Sequence, residues 1–385
     1  MNEIIKKKNL NIEATQWSLI KYFLRLSALG FGGPIALTNY MHNDLIIERK
    51  WFTEEEFKEG LALCQLAPGP LAAQLAIYFG WTHSGVWGAT VIGLAFIIPA
   101  FLIVLAISFA YVSFQDVSWV QSLFYGIGGS VIAIIVFSAF KLIKRTIKND
   151  YLLMGIALVN GLVTAIYEEE ILWMFLGSGV IAALIKSNFL RDSKNVIVPF
   201  LFSSPLDGTT MNFSEGTKFF AFFAKSGAFV FGSGLAIVPF LYSGVVNEFK
   251  WLTDQQFLDA VAVAMISPGP VVITVAFIGF LKGGIFGSFA ASIGTFLPCY
   301  LFTVIPAPFF RKLNQKKWIH EFVNGVTSAA IGAIGGAAYV LGKRAIVDTT
   351  SVVIACVVLF CLFKFQKIQT PVWILLSGII GLILS

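Results

Sequence analysis

Charge is scarce in this sequence: 12% of its 385 residues are Asp, Glu, Lys or Arg. Soluble domains carry about 25%, and a chain that is 57% hydrophobic could not cover itself with polar surface in water. Metal-binding and disulfide patterns are missing as well. The four cysteines, Cys64, Cys299, Cys356 and Cys361, lie in apolar stretches without C-x-x-C spacing, which argues against a zinc site or a disulfide frame. His42, His83 and His320 stand singly and read as interfacial residues rather than ligands. No Walker-type phosphate loop occurs, so a nucleotide-driven pump within this chain is not expected. The long apolar runs also lack the nucleophile–base sets that an intramembrane enzyme would need. No basic face interleaved with aromatics suggests nucleic acid, and no cofactor is implied. Met1 to Glu13 is polar and basic, unlike a cleavable signal peptide.

What is abundant is apolar length. Runs near the ~20 residues that cross a ~30 Å hydrocarbon layer recur along the chain, and mean hydropathy is +0.82. The fold class is therefore an all-α polytopic membrane protein, with lipid as its surroundings. The net charge of +6 reads as loop bias at a membrane. Trp17 to Ile35 is predicted as a first spanning helix carrying Lys21 and Arg25. A broken pair of helices follows at 54–82, then apolar runs at 85–112, 119–143, 151–167 and 170–186.

The chain is organised around Trp51 to Gly80. Thr53-Glu54-Glu55-Glu56 is a capping box, in which a Thr oxygen and a Glu three residues on satisfy orphan amides. The amphipathic run stops at Pro68-Gly69-Pro70, because proline lacks the N–H and restricts the residue before it. Pro70 then suits the first position of a second helix. The same device returns 200 positions later, from Trp251 to Pro268-Gly269-Pro270. Further matches extend the repeat to nearly the whole chain: Phe31-Gly32 with Phe231-Gly232, Gly85 with Gly284, Pro99 with Pro298, and Lys144-Arg145 with Lys343-Arg344. The predicted organisation is a first repeat at 1–186, a linker at 187–213 and a second repeat at 214–385. With about five spanning helices per copy, the odd count predicts that the second copy is inverted. That arrangement gathers Lys141, Lys144, Arg145 and Lys148, the linker cations, and Arg311, Lys312, Lys316 and Lys317 on one side, and sends Glu168-Glu169-Glu170 to the other. It also places the N-terminus outside, where Lys6-Lys7-Lys8 runs against the positive-inside rule.

Arg25 and Lys225 occupy the same repeat position, within the first helix of each copy. A cation at membrane depth costs about 2.5–3.5 kcal/mol on insertion scales, so a recurring one points to function; the alternative is a side chain that snorkels to the interface. Helix starts at Pro70 and Pro270 present free amides and the positive end of a dipole to an anion. Gly32, Gly33, Gly69, Gly232 and Gly269 let backbone approach a ligand closely. Glu59 and Asp259 form a matched carboxylate pair before the two corners, suited to coupling or gating, or simply to a solvated helix face.

At these residues the sequence resembles the chromate ion transporters. The likeness rests on F-G-G-P at 31–34, W-x-T-x-x-x-F at 51–57, A-P-G-P at 67–70, and their second-copy counterparts. It implies the long, two-domain form of that family, in a prokaryotic inner membrane, exporting chromate and so conferring resistance. The second copy departs in having Lys225 for Arg25 and Gly234 for Pro34. The expectation is a secondary active carrier of a divalent oxyanion, chromate before sulfate, with rocking of the two copies for alternating access. A homodimer is compatible with this reading.

Overall fold

The computed structural model describes residues 14–169, 171–187, 215–231, 234–310, 316–366 and 368–384. Among these residues every regular element is a helix, and the α-helices form two sets of seven. In the first repeat α1 is Gln16–Leu29, α2 Gly33–Met41, α3 Glu54–Leu66, α4 Leu71–Phe114, α5 Ser118–Leu142, α6 Tyr151–Tyr167 and α7 Leu172–Lys186. Their counterparts are α8 Glu215–Ala228, α9 Ile237–Tyr242, α10 Asp254–Ile266, α11 Thr274–Val304, α12 Lys317–Ala345, α13 Thr349–Lys364 and α14 Thr370–Leu384. Equivalent signals start equivalent helices. Thr53 and Thr253 each accept the third amide of their helix, and Glu56 and Gln256 reach back to the Thr amide.

The expected spanning helix Trp17–Ile35 does not form. Helix α1 ends after 14 residues, about 21 Å at 1.5 Å per residue and short of the ~30 Å hydrocarbon layer. Gly32 (φ 105°) and Gly33 (φ 76°) then take left-handed backbone, open to glycine without strain. The chain turns back as α2, which lays Arg49 over the Tyr22 ring at 5.4 Å.

The broken pair is a second hairpin. Phe57 and Phe79 lie 6.4 Å apart, and Phe52 and Phe79 4.6 Å apart. The Cα of Gly60 abuts the Tyr78 ring so closely that a methyl there would lie 2.3 Å from it. Residues at similar distances before and after Pro68-Gly69-Pro70 thus face each other, which requires antiparallel arms. Helix α4 itself reverses at Ser84–Gly85, where Gly85 has φ 61°, into arms 71–83 and 86–114. Gly80 and Gly88 meet backbone to backbone at that reversal. Gly283–Gly284, Gly279 and Gly287 repeat the arrangement in α11.

Each repeat therefore holds two half-depth hairpins followed by four apolar helices, in place of five spanning ones. By length and composition, Leu71–Phe114, Ser118–Ile147, Val271–Phe309 and Lys317–Ala345 can cross a membrane; α6, α7, α13 and α14 are apolar but have 15 to 17 residues. Exposed Trp87, Leu94, Leu102, Phe286, Ile293 and Leu301 give the outside of the bundle an apolar surface of the kind lipid covers.

The repeats interlock. Helix α12 packs against α6 and α7 of the first repeat, while its counterpart α5 packs against α13 and α14 of the second. Small residues allow this: a methyl on Gly332 would sit 2.0 Å from the Ala157 carbonyl oxygen, and one on Gly126 2.2 Å from that of Ser377. Such seams hold helices by close van der Waals contact where lipid offers no hydrophobic drive. Helices α5 and α12 run antiparallel, since Tyr125 near the start of α5 bonds Asp348 just beyond α12. At the other end Lys186, closing α7, pairs with Asp150 and Glu321.

Two faces follow from these contacts. The basic face collects the ends of α5 and α7, the start of α12 and the open ends of the first repeat's hairpins; the acidic face collects Glu168, Asp254 and Asp348. His83 bonds the Ala14 carbonyl and Ser84 bonds Gln16, so the chain enters α1 on the basic face. The start of α1 thus shares a face with Lys141–Lys148, while the N-terminus and Lys6-Lys7-Lys8, expected on the other side, lie outside the described residues. Half-depth hairpins return the chain to the face it came from, leaving an even number of crossings in the first repeat. Helix α8 begins on the acidic face, where Phe219 packs on Trp251. The predicted linker 187–213 lies outside the described residues apart from Ser187.

Candidate functional site

The hairpin tips of the two repeats meet at the centre. The Gly69 amide donates to the Val230 carbonyl at 2.6 Å, and the Gly269 amide donates to the Gly30 carbonyl at 3.0 Å. Residues 69 and 269 are repeat counterparts, as are 30 and 230, so one contact is the two-fold image of the other. Reciprocity of this kind is what a two-fold axis imposes on an interface. The N–H groups of Gly69 and Gly269 are engaged in it; the amides aimed elsewhere are those that follow each second proline.

The two corners are not equally open. Helix α4 starts at Leu71 with Pro70 as its cap and no side chain satisfying the first turn, which leaves orphan amides at the positive end of the helix. Gln74, fully buried, donates from its amide nitrogen to the Pro68 carbonyl at 3.0 Å, and its Oε1 has no partner. After Pro270 the chain makes a single tight turn, Val271–Ile273, with Val272 and Ile273 wholly enclosed.

A cavity of about 380 Å³ runs from the basic face to the first corner. Arg145, Lys148 and His320 lie at its mouth, Gln65, Asn324 and Thr327 along its wall, and Gly69 and Leu71 at its floor. Among the described residues no Asp or Glu lines it. A second cavity, about 160 Å³, is bounded by Gly32, Gly33, Pro34, Ser138 and Lys141 on one side and Leu235, Met265 and Val271 on the other. Arg145 lines both cavities and, among the described residues, makes no ion pair. Converging cations on low-dielectric walls focus field and raise the local concentration of anions.

The acidic face is arranged otherwise. Arg344, the repeat counterpart of Arg145, bonds Asp254 at 2.6 Å and also pairs with Glu168 of the first repeat. Its guanidinium stacks on Tyr242, whose hydroxyl donates to the same Asp254. Asn247 adds a bond to the Glu168 carbonyl. Counterparts of the first cavity's walls are closed here: Ala262, Ala264 and Leu341 are all buried. One set of equivalent positions is open and the other sealed.

The residues singled out from the sequence separate accordingly. Gly32, Gly33, Gly69, Pro70, Gly269 and Pro270 come together at the hairpin tips; Gly232 lies outside the described residues. Arg25 and Lys225 are both exposed on the flanks of α1 and α8 and line neither cavity. Glu59 is half-exposed, whereas Asp259 is buried and accepts hydrogen bonds from Tyr111 at 2.7 Å and Gln255 at 2.8 Å. Sequence reading missed Arg145 and Lys148 as site residues, because cations after an apolar run look like ordinary loop bias. The match of Lys144-Arg145 with Lys343-Arg344 was the available signal.

Comparison with known proteins gives one consistent result. The family described as Chromate transporter matches residues 17–183 and again 217–382, one match per repeat. A chromate transport protein of Cupriavidus metallidurans is 53% identical over 372 residues, covering 95% of this chain and 92% of its own length. A probable chromate transport protein of Synechococcus elongatus is 50% identical, covering 95% and 94%. A chromate transport protein of Pseudomonas aeruginosa is 29% identical, covering 94% and 91%. No solved structure matches the chain.

Proposed function

The chain belongs to the chromate transporter family, and from that premise we propose that it is a secondary carrier exporting a divalent tetrahedral oxyanion, chromate first. The observation that carries this reading is the cavity lined by Arg145, Lys148 and His320 that ends at the uncapped start of α4. Cations draw a doubly charged anion in; Gln65, Asn324 and Thr327 replace part of its hydration; the first-turn amides after Pro70 receive it at the floor. A carrier rather than an enzyme is supported by the relatives, which are named transport proteins.

The antiparallel placement of α5 and α12 supports an inverted repeat, with the site at the repeat interface. The basic face corresponds to the cytoplasm by the positive-inside rule, so the open cavity loads from within and the direction is efflux. Release toward the acidic face requires Arg344 to leave Asp254 and Glu168, and symmetry supplies the converse closure. In that state Arg145 would approach Glu54, the counterpart of Asp254, which His42 now holds at 2.9 Å. Rocking about the reciprocal Gly69–Val230 and Gly269–Gly30 bonds would exchange the two states. Arg25 and Lys225 enter as a second, matched pair of cations whose part is decided by the same assay.

The test is uptake of labelled chromate into inverted membrane vesicles, with sulfate as competitor. Energised accumulation that sulfate reduces is the expected result. Movement of sulfate without chromate would keep the carrier and change its substrate. Correctly inserted protein that moves neither anion would overturn the reading.

A further inference from the structure

The two matched carboxylates ahead of the corners sit in unlike surroundings, and the difference bears on energy coupling. Asp259 is 4% exposed, between the repeats. Its Oδ2 accepts from the Tyr111 hydroxyl, on the second arm of α4 in the first repeat, and its Oδ1 accepts from Gln255, one turn earlier on α10. Tyr111 in turn faces Asp116. From α5, α11, α12 and α14, the other helices against α10, no titratable group among the described residues bonds the carboxyl. A buried carboxylate without a cation is costly, and ionisable groups kept at membrane depth mark proton paths more often than scaffolding.

The first repeat is built differently at these positions. Position 59 is a half-exposed Glu, and the counterpart of Tyr111 is Phe310, packed with Leu63 and Tyr78. Burial thus differs between the matched carboxylates: Asp259 is enclosed and Glu59 is half-exposed. Asp259 also lies five residues along α10 from Asp254, the group Arg344 holds. Asp254 and Asp259 therefore ride on one helix, which links the acidic-face closure to the buried carboxyl.

We propose that Asp259 is a proton-binding site, alternately ionised and neutral as the carrier cycles, and that Tyr111 stabilises the ionised form across the repeat boundary. This rests on the carrier reading above and adds the coupling species to it. The balance is simple: the carboxylate takes one proton from the acidic-face solution as the anion leaves there, becomes a carboxylic acid, and returns that proton to the basic-face solution once the carrier opens again to that face. No bond to the anion forms, and nothing is oxidised. Tyr111 is a positioning residue, whose donated bond favours the ionised carboxyl.

The experiment uses the full chain in proteoliposomes and two assays: anion-for-anion exchange without a gradient, and accumulation driven by a pH gradient alone. For Asp259→Asn the expected result is exchange within about twofold of wild type and gradient-driven accumulation lowered at least about tenfold. For Tyr111→Phe, loss of a donor to the carboxylate moves the pH of half-maximal gradient-driven transport alkaline by about one unit. Gradient-driven accumulation by Asp259→Asn equal to wild type overturns the proposal, as does an unmoved pH profile in Tyr111→Phe. If Asp259→Asn does not fold, Tyr111→Phe decides alone, since phenylalanine already occupies the equivalent place in the first repeat. Wild-type protein that exchanges neither chromate nor sulfate would instead remove the carrier reading, and this proposal with it.

Discussion

Arg145 carries the residue-scale argument, because the same residue type at the same repeat position is ion-paired on one face and, among the described residues, makes no ion pair on the other. Arg145→Ala removes a charge-assisted donor from both cavities, and the loss expected in apparent anion affinity is about 10- to 100-fold, read as the concentration dependence of chromate uptake. Arg25→Ala and Lys225→Ala, tested alongside, decide whether exposed cations contribute to the same step. Gly69→Ala is expected to be costly for a different reason. Its backbone has φ 144°, and a Cβ there would lie 2.8 Å from the Gln74 amide. Strain of about 1–3 kcal/mol follows, seen as a lower yield of folded protein. At Asp348 the Tyr125 hydroxyl and the Ser351 amide hold the carboxyl below its usual range. A depressed carboxyl contributes stability above its unfolded value and loses it as pH falls through the folded one. The tie between α5 and the start of α13 is therefore intact at neutral pH and weakens only below about pH 4, which a thermal-shift series against pH reports.

At the scale of elements, Arg344, Asp254 and Glu168 join α12, α10 and the α6–α7 turn into a closure of the acidic face. Its members are partly exposed, so it is worth about 1 kcal/mol rather than the energy of a buried pair. That is enough to shift an equilibrium between states about fivefold. A cysteine at Gly128 reports the shift: the position is buried, has open space for a Cβ, and is the counterpart of the cavity residue Thr327. In Arg344→Gln the expected outcome is faster labelling of Gly128→Cys by an impermeant thiol reagent from the acidic face. Labelling of Thr327→Cys from the basic face should slow in the same protein. Unchanged rates at both would remove the closure from the mechanism.

At the scale of the whole molecule, the interlocked repeats and half-depth hairpins predict which surfaces share a side. Cysteines at Glu55 and Lys148 should label from one side of the membrane and a cysteine at Glu169 from the other. Reaction of Glu55→Cys on the side of Glu169→Cys would break the assignment of faces. The interlock also predicts cooperative unfolding. Because α12 is enclosed by α6 and α7, and α5 by α13 and α14, neither repeat buries its own central helix. A Gly332→Leu substitution, placed against Ala157, should destabilise the whole bundle by about 1–3 kcal/mol, seen as a single displaced transition rather than the loss of one half.

Membrane residence, helical class, the repeat, its capped hairpin starts and the two Pro-Gly-Pro corners were all determined by sequence, because each rests on local rules. Apolar length, a Thr cap with its partner three residues on, and a proline that cannot continue a helix act within a few residues. The family likeness was legible for the same reason, its motifs being these corners. What tertiary structure alone decided was depth and partnership. Gly32 and Gly33 fold Trp17–Ile35 back on itself instead of letting it span, which changed the crossing count and set the start of α1 on the basic face. Arg25 and Lys225, cations inside apolar runs, are exposed, whereas Arg145, which read as a loop charge, lines both cavities. Asp259 and Glu59 match in sequence but differ in burial, and Tyr111 reaches Asp259 from a distant part of the chain. Such differences arise between elements far apart in the chain, where a repeat makes two copies alike in sequence and the packing of one state makes them unlike in surroundings.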